Sequence, residues 1–134
     1  MPSRDPVYID FDRTLADYRH GSGFATLPPP LPGAKEFVEA VRKLPNVSEA
    51  LIYSCRTSQA VVSPEEALDQ AHLIRDWLLE HEVPADGVYV GTGKPDGAAF
   101  VDDKGVTCRP QEDGPAAYGA ALAMLERITG ATDP

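Results

Sequence analysis

The residues of this 134-residue chain that could do chemistry together follow four short apolar runs. Acidic side chains dominate the group, and hydroxyl groups, an arginine and a lysine accompany them. In chain order they are Asp10, Asp12 and Thr14, then Ser54 and Arg56, then Lys94, and finally Asp102 and Asp103. Carboxylates a few ångströms apart raise one another's pKa unless a cation joins them. The set therefore indicates a site for a divalent cation.

The same residue types suit the transfer of a phosphoryl group. Mg²⁺ takes one or two carboxylates and completes its shell with water and substrate phosphate oxygens. The Lys94 ammonium and the Ser54 hydroxyl would neutralise and position a phosphoryl group beside that ion. An exposed carboxylate in such a site can act as a nucleophile. The expected ligand is thus a phosphorylated small molecule, with Mg²⁺ as cofactor.

Strands and helices alternate along the chain in a way that would gather these residues. Apolar runs predict strands at 7–11, 50–53, 88–90 and 98–101. Apolar side chains at helical spacing predict a helix from Gly33 to Leu44, and Ser63-Pro64-Glu65-Glu66 predicts the start of a helix that ends near Val83. A last helix is expected from near Pro115 to Gly130.

This alternation predicts one α/β domain over residues 1–134, a three-layer Rossmann-like fold with helices on both faces of a mainly parallel sheet. In such sheets the loops at the carboxyl ends of the strands carry the ligand site. Asp10 lies at the end of the first predicted strand, and the other polar groups named above follow a predicted strand. We therefore expect all of them at one edge of the sheet.

In this order the residues resemble the four motifs of the haloacid dehalogenase superfamily of Mg²⁺-dependent phosphatases. Asp10-Phe11-Asp12-Arg13-Thr14 is similar to the first motif, Ser54 to the second, Lys94 to the third and Asp102-Asp103 to the fourth. The resemblance extends to the small members from bacteria and phages that lack a cap domain, and distantly to the phosphatase part of polynucleotide kinases. The intervals between the motifs leave no room for a cap.

The resemblance implies a phosphomonoesterase with an aspartyl-phosphate intermediate. Asp10 would attack phosphorus, while Asp12 would protonate the leaving oxygen and then accept a proton from the hydrolytic water. Lys94 would hold both the phosphoryl group and Asp10. Ser54 would donate a hydrogen bond to the phosphoryl group, and Thr14 would orient Asp12.

The implied Mg²⁺ ligands are the carboxylates of Asp10 and Asp102 and the main-chain carbonyl of Asp12. Asp103 would contact these ligands from the next layer outward. Arg56 would contact substrate, although an exposed arginine in a loop is an equal alternative. Thr14 could likewise do no more than close a turn.

Two other functions use the same residues. One is a phospholigand-binding module that has lost turnover, against which the presence of Asp12 counts. The other is a phosphatase of nucleic-acid 3′ ends, which the open site favours. The net charge of −9 disfavours it, because affinity for duplexes comes largely from Lys and Arg.

Composition bounds the remaining choices. No apolar segment predicts a membrane span or a secretion signal, so a cytoplasmic location without a membrane partner is expected. Cys55 and Cys108 are too few for a disulfide framework. A Cys55 thiol nucleophile is conceivable, but no histidine is near it in sequence. The proline run at 28–32 predicts an extended spacer, with a ligand for a polyproline-binding groove as the alternative.

Overall fold

The computed structural model describes residues 5–19, 26–91, 99–102 and 106–129, leaving aside the side chains of Asp102 and Thr107. It contains five strands and four α-helices, with a 3₁₀ turn at Cys55–Thr57. The strands are β1 (Asp5–Ile9), β2 (Val47–Ile52), β3 (Gly87–Val88), β4 (Ala99–Asp102) and β5 (Val106–Thr107). The helices are α1 (Ala34–Arg42), α2 (Pro64–Glu80), α3 (Pro110–Asp113) and α4 (Ala116–Ile128).

The strands form one sheet in the order β3-β2-β1-β4-β5, and every pairing in it is parallel. Ile9 at the end of β1 is level with Ile52 of β2 on one side and with Val101 of β4 on the other. The chain first builds the sheet outward through β2 and β3, then crosses back to β4. The α/β class and the parallel sheet are confirmed, and the point where the strand order reverses lies between β1 and β4.

The helix starts follow local chemistry that the sequence displays. Ser63 caps α2, because its hydroxyl accepts a hydrogen bond from the Glu66 main-chain N–H at 3.2 Å and Pro64 occupies the first turn. The last helix begins directly after Pro115. In α1 the buried side chains recur at helical spacing, and they are Ala34, Phe37, Val38 and Val41. The predicted Ser63 cap and the apolar periodicity of α1 are confirmed, while Gly130, the expected stop of the last helix, lies outside the described residues.

All three long helices of the described chain pack on one face of the sheet. Their buried side chains form a single cluster with the strand residues of that face, which are Val7, Ile9, Ala50, Ile52, Val88, Ala99 and Val101. Helix α1 connects β1 to β2 and α2 connects β2 to β3, and both contribute buried side chains to this cluster. The last helix folds back onto α1, where Tyr118 stacks on Phe37 with ring centroids 4.9 Å apart.

The expected third layer is therefore not found among the described residues. The opposite face of the sheet carries Leu51 and a cluster of aromatic rings. Tyr8 stacks on Phe100 at 5.1 Å between ring centroids, and Tyr53 stacks on Tyr89 at 5.9 Å. Tyr8 also meets Tyr53 and Tyr89 edge-on, and it is only 5% exposed. The prediction of helices on both faces is wrong for this part of the chain.

Two short elements were not predicted. Strand β5 has two residues and α3 has four, and neither is long enough to establish a hydrophobic period. The second helix also ends at Glu80, earlier than expected.

Of the helices in the described ranges, none combines the length and the apolar character that crossing a bilayer requires.

The described prolines of the 28–32 run pack against the protein itself. The Trp77 indole N–H donates to the Pro28 carbonyl at 2.7 Å, and the Asp17 N–H donates to the Pro29 carbonyl at 2.8 Å. Leu31 in turn donates its N–H to the Leu15 carbonyl at 2.8 Å. These contacts fit the extended spacer that leads into α1.

Candidate active site

Asp10 and Asp12 lie just beyond the carboxyl end of β1, where the strand order reverses. In open parallel sheets this is the crevice where ligands bind. The Asp10 N–H donates to the Val101 carbonyl of β4 at 2.9 Å, which continues the pairing of the two strands. The Phe11 N–H donates to Oδ1 of Asp10 at 2.8 Å. The Asp10 carboxylate is therefore held at the mouth of the crevice by its own loop.

Asp12 is bound by Arg56 through two hydrogen bonds. Nε of Arg56 donates to Oδ2 of Asp12 at 2.8 Å, and Nη2 donates to Oδ1 at 3.0 Å. The Arg56 side chain is 0% exposed and the Asp12 side chain 15% exposed, so the pair is nearly dry. A two-point contact of this kind fixes the plane of the carboxylate as well as its position. Arg56 therefore fixes both the position and the orientation of the Asp12 carboxylate.

Further contacts hold Arg56 in place from several elements. Nη1 donates to Oε1 of Gln70 in α2 at 3.2 Å. The guanidinium carbon lies 5.9 Å from the ring centroids of both Phe11 and Tyr18. Of the two interpretations of Arg56 from sequence, the exposed arginine is wrong, because this side chain is enclosed behind Asp12.

Ser54 is buried in the loop that carries Arg56. Its hydroxyl oxygen accepts a hydrogen bond from the Arg56 N–H at 3.2 Å, and its carbonyl accepts one from the Thr57 hydroxyl at 3.1 Å. The Thr57 hydroxyl also lies 2.7 Å from the Tyr89 carbonyl, which ties the loop to the end of β3. The loop is therefore a compact turn. Donation from Ser54 to a phosphoryl group stays a prediction.

Thr14 is also buried, and its main chain is bound by a residue of α4. The Tyr118 hydroxyl of α4 donates to the Thr14 carbonyl. Among the described hydrogen bonds, none joins the Thr14 side chain to Asp12, whose two oxygens are held by Arg56 instead. Burial raises the pKa of the Tyr118 phenol, so that this group remains a donor at any physiological pH.

A cavity of about 140 Å³ opens beside the two aspartates. Its lining brings in side chains that the sequence analysis did not single out, and the full set is Asp10, Asp12, Arg13, Thr14, Cys108, Arg109 and Glu112. Arg109 and Glu112 were missed because they follow β5, a strand too short to recognise. Polar residues that follow a strand tend to line the site. Both residues would therefore have been candidates if β5 had been recognisable in the sequence.

The other predicted site residues are described only in part or not at all. Asp102 is the last residue of β4 and follows Val101, the register partner of Ile9, so its backbone lies beside that of Asp10. Lys94 and Asp103 lie outside the described residues. Within the described ranges, no three acidic, histidine or cysteine side chains converge as a metal site. The full predicted Mg²⁺ ligand set stays a prediction.

Two groups next to the aspartates have shifted proton affinities. Partial burial, followed by the charges of Asp12 and Asp10, raises the pKa of the Cys55 thiol, and Arg56 opposes this only in part. Burial likewise raises the pKa of Tyr53, with contributions from Tyr89 and Asp10. A thiol that holds its proton is a poor nucleophile. The structure thus disfavours a catalytic Cys55.

The fold and the crevice define an α/β protein with a cavity of acidic and basic side chains at the carboxyl end of a parallel sheet. No protein-family model matches the chain, and no curated protein or solved structure is significantly similar to it.

Proposed function

We propose that this protein is a Mg²⁺-dependent phosphomonoesterase of the haloacid dehalogenase type, without a cap domain. The observation that carries the proposal is the pair of aspartates at the switch point of a parallel sheet. Both line one cavity, and one of them is aimed by a buried arginine. The order of the sequence motifs along the chain adds to this support.

In the proposed reaction Asp10 attacks phosphorus and the bond from phosphorus to the substrate oxygen breaks. Asp12 gives its proton to that leaving oxygen. Water then attacks the phosphorus of the aspartyl-phosphate, Asp12 takes a proton from the water, and the bond to Asp10 breaks to release phosphate.

The donor set suits Mg²⁺, which needs few protein ligands beyond carboxylates. The Asp10 carboxylate and the main-chain carbonyl of Asp12 would hold the ion together with Asp102. Both oxygens of the Asp12 carboxylate contact Arg56, which supports the assignment of its carbonyl rather than its side chain as the ligand. When bound, Mg²⁺ would supply charge neutralisation for the phosphoryl oxygens.

The test is phosphate release from 4-nitrophenyl phosphate with Mg²⁺ and with EDTA. We expect Asp10→Asn to abolish turnover and Asp12→Asn to lower kcat by more than about 100-fold, the usual contribution of a general acid and base. Asp69→Asn, an isosteric change on the exposed face of α2, serves as the control and keeps full activity. Turnover that survives Asp10→Asn contradicts the proposal.

A panel of substrates then separates the related functions. Sugar phosphates, nucleotides and a 3′-phosphorylated oligonucleotide are compared at equal concentration. Preference for the oligonucleotide would identify a nucleic-acid 3′ phosphatase. Saturable binding of phosphorylated ligands without turnover of any of them would identify a binding module.

A further inference from the structure

We infer that Arg13 and Arg109 form a second anion subsite at the cavity, so that the preferred substrate is a phosphomonoester with another negatively charged group. This inference rests on the proposed phosphatase function, because it assigns Asp10 and Asp12 to the reacting phosphoryl group. The two arginines come from separate parts of the chain, one from the loop after β1 and one from the segment after β5. Both line the same cavity as the aspartates.

One carboxylate stands between the two guanidinium groups. Nη1 of Arg13 lies 3.2 Å from Oε1 of Glu112, and Nε of Arg109 lies 3.9 Å from Oε2 of the same residue. Two positive charges therefore share a single negative one. Each guanidinium carries five N–H donors, so this contact uses only a small part of their capacity. The subsite keeps a net positive charge and donors for another anion.

The backbone of Arg13 indicates that its side chain has a purpose beyond the ion pair. Its φ is 68°, in the left-handed region that glycine adopts without strain and other residues do not. The turn needs this conformation, because the Arg13 N–H donates to the Ala16 carbonyl at 2.8 Å. The side chain is 47% exposed, and exposed ion pairs stabilise proteins little. Its other contact is with the Tyr18 ring, whose centroid lies 5.9 Å from the Arg13 guanidinium carbon. Strain kept at a residue that lines a site points to function.

Glu82 provides the contrast. It is the other non-glycine residue with a positive φ in the described chain, at 55°. It lies in the turn that ends α2, where the Val83 N–H donates to the Leu78 carbonyl at 2.9 Å. That conformation is explained by helix termination. At position 13 no helix ends, and the arginine side chain adds only the ion pair with Glu112 and the contact with the Tyr18 ring.

The net charge of the whole chain makes the presence of two arginines at one cavity more significant. With a net charge of −9, the protein has few cations to distribute over its surface. Two of them lie at the cavity that also holds Asp10 and Asp12. A bare acidic crevice would repel a substrate with two anionic groups. The arginines offset this at the side of the crevice that faces α3.

The test compares propane-1,3-diol monophosphate with propane-1,3-diol bisphosphate, which differ by the second anion alone. We expect kcat/KM to favour the bisphosphate by about tenfold, the effect of one charge-assisted contact. Arg109→Ala and Arg13→Gly each reduce that ratio to within about twofold of unity. Arg42→Ala is the matched control, because Arg42 is equally exposed and paired with Asp86 at 3.1 Å, away from the cavity.

Arg13→Gly also separates recognition from folding. Glycine relieves the backbone strain, so the midpoint of urea unfolding should stay the same or rise while the preference is lost. An unchanged preference in both cavity variants overturns the inference even if the enzyme is active. If the wild type turns over neither compound, titration calorimetry with the bisphosphate decides. Binding equal in the wild type and the two variants, or no binding, overturns it, whereas tighter binding by the wild type supports it.

Discussion

The ion pair of Arg56 and Asp12 links the stability of the fold to the chemistry of the crevice. Removal of one member of a buried pair leaves the other charge without compensation. We expect Arg56→Ala to lower the free energy of unfolding by about 3 to 5 kcal/mol. The measurement is urea denaturation followed by the fluorescence of Trp77.

Arg56→Lys and Arg42→Ala complete that experiment. Lysine keeps the charge but loses the two-point contact, so Arg56→Lys should fall between the wild type and Arg56→Ala. Arg42→Ala removes an exposed ion pair and should cost less than about 1 kcal/mol. If Arg56→Ala and Arg42→Ala lowered the free energy of unfolding equally, the buried ion pair would stabilise the fold no more than an exposed one.

Cys55 gives a prediction that depends on pH. Because its pKa is raised above its ordinary value, the folded protein holds the thiol in its protonated form to higher pH than the unfolded chain does. Alkylation by iodoacetamide near pH 8 should therefore be slower at Cys55 in the native protein than in urea, although the residue is exposed. Site-resolved mass spectrometry measures both rates. A native rate equal to or above the unfolded rate would contradict the shift.

The residue types of the site were predictable, but their contacts were not. The sequence itself shows acids, a hydroxyl group and an arginine after the predicted strands. The strand order brings these residues to one edge of the sheet. The enclosure of Arg56 depends on Asp12 and Gln70, which are remote from each other in sequence. No local pattern records such a contact. Burial of an arginine is rare enough that the sequence alone favours exposure.

At the scale of elements, α2 supports the site through Gln70 and depends on its cap. Ser63→Ala removes the acceptor for the Glu66 N–H and should lower the free energy of unfolding by about 1 kcal/mol. Ser63→Asp restores an acceptor and should regain most of that loss. Ser48→Ala, at an exposed position of β2, is the control and should change stability by less than about 0.5 kcal/mol. A loss as large at Ser48 would contradict the capping role.

The elements show which sequence signals are strong enough to use. Helices α1, α2 and α4 have several turns of apolar spacing, and α2 also has the Ser63 cap, so their existence was predictable. Strand β5 and helix α3 have too few residues for a period, and this concealed Arg109 and Glu112 from the sequence analysis. Tyr8, Tyr53 and Tyr89 lie in or just after three different strands. Nothing in their sequence pattern distinguishes a sheet face covered by a helix from one covered by its own aromatic rings.

At the scale of the whole molecule, the net charge of −9 opposes the compact state through self-repulsion. Raising NaCl from about 0.05 M to about 0.5 M shortens the screening length and weakens that repulsion. We expect Tm to rise with salt in the absence of divalent ions, as differential scanning calorimetry would record. A Tm that falls over this range would mean that attractive ion pairs outweigh the net charge.

The proposed function depends above all on a shared cation between the ends of β1 and β4. A crystal structure grown with Mg²⁺ and beryllofluoride, which mimics an aspartyl-phosphate, tests this directly. The prediction is beryllofluoride on the Asp10 carboxylate and one Mg²⁺ about 2.1 Å from oxygens of Asp10, Asp102 and the Asp12 main chain. Carboxyl groups of Asp10 and Asp102 that diverge and share no ion would contradict it.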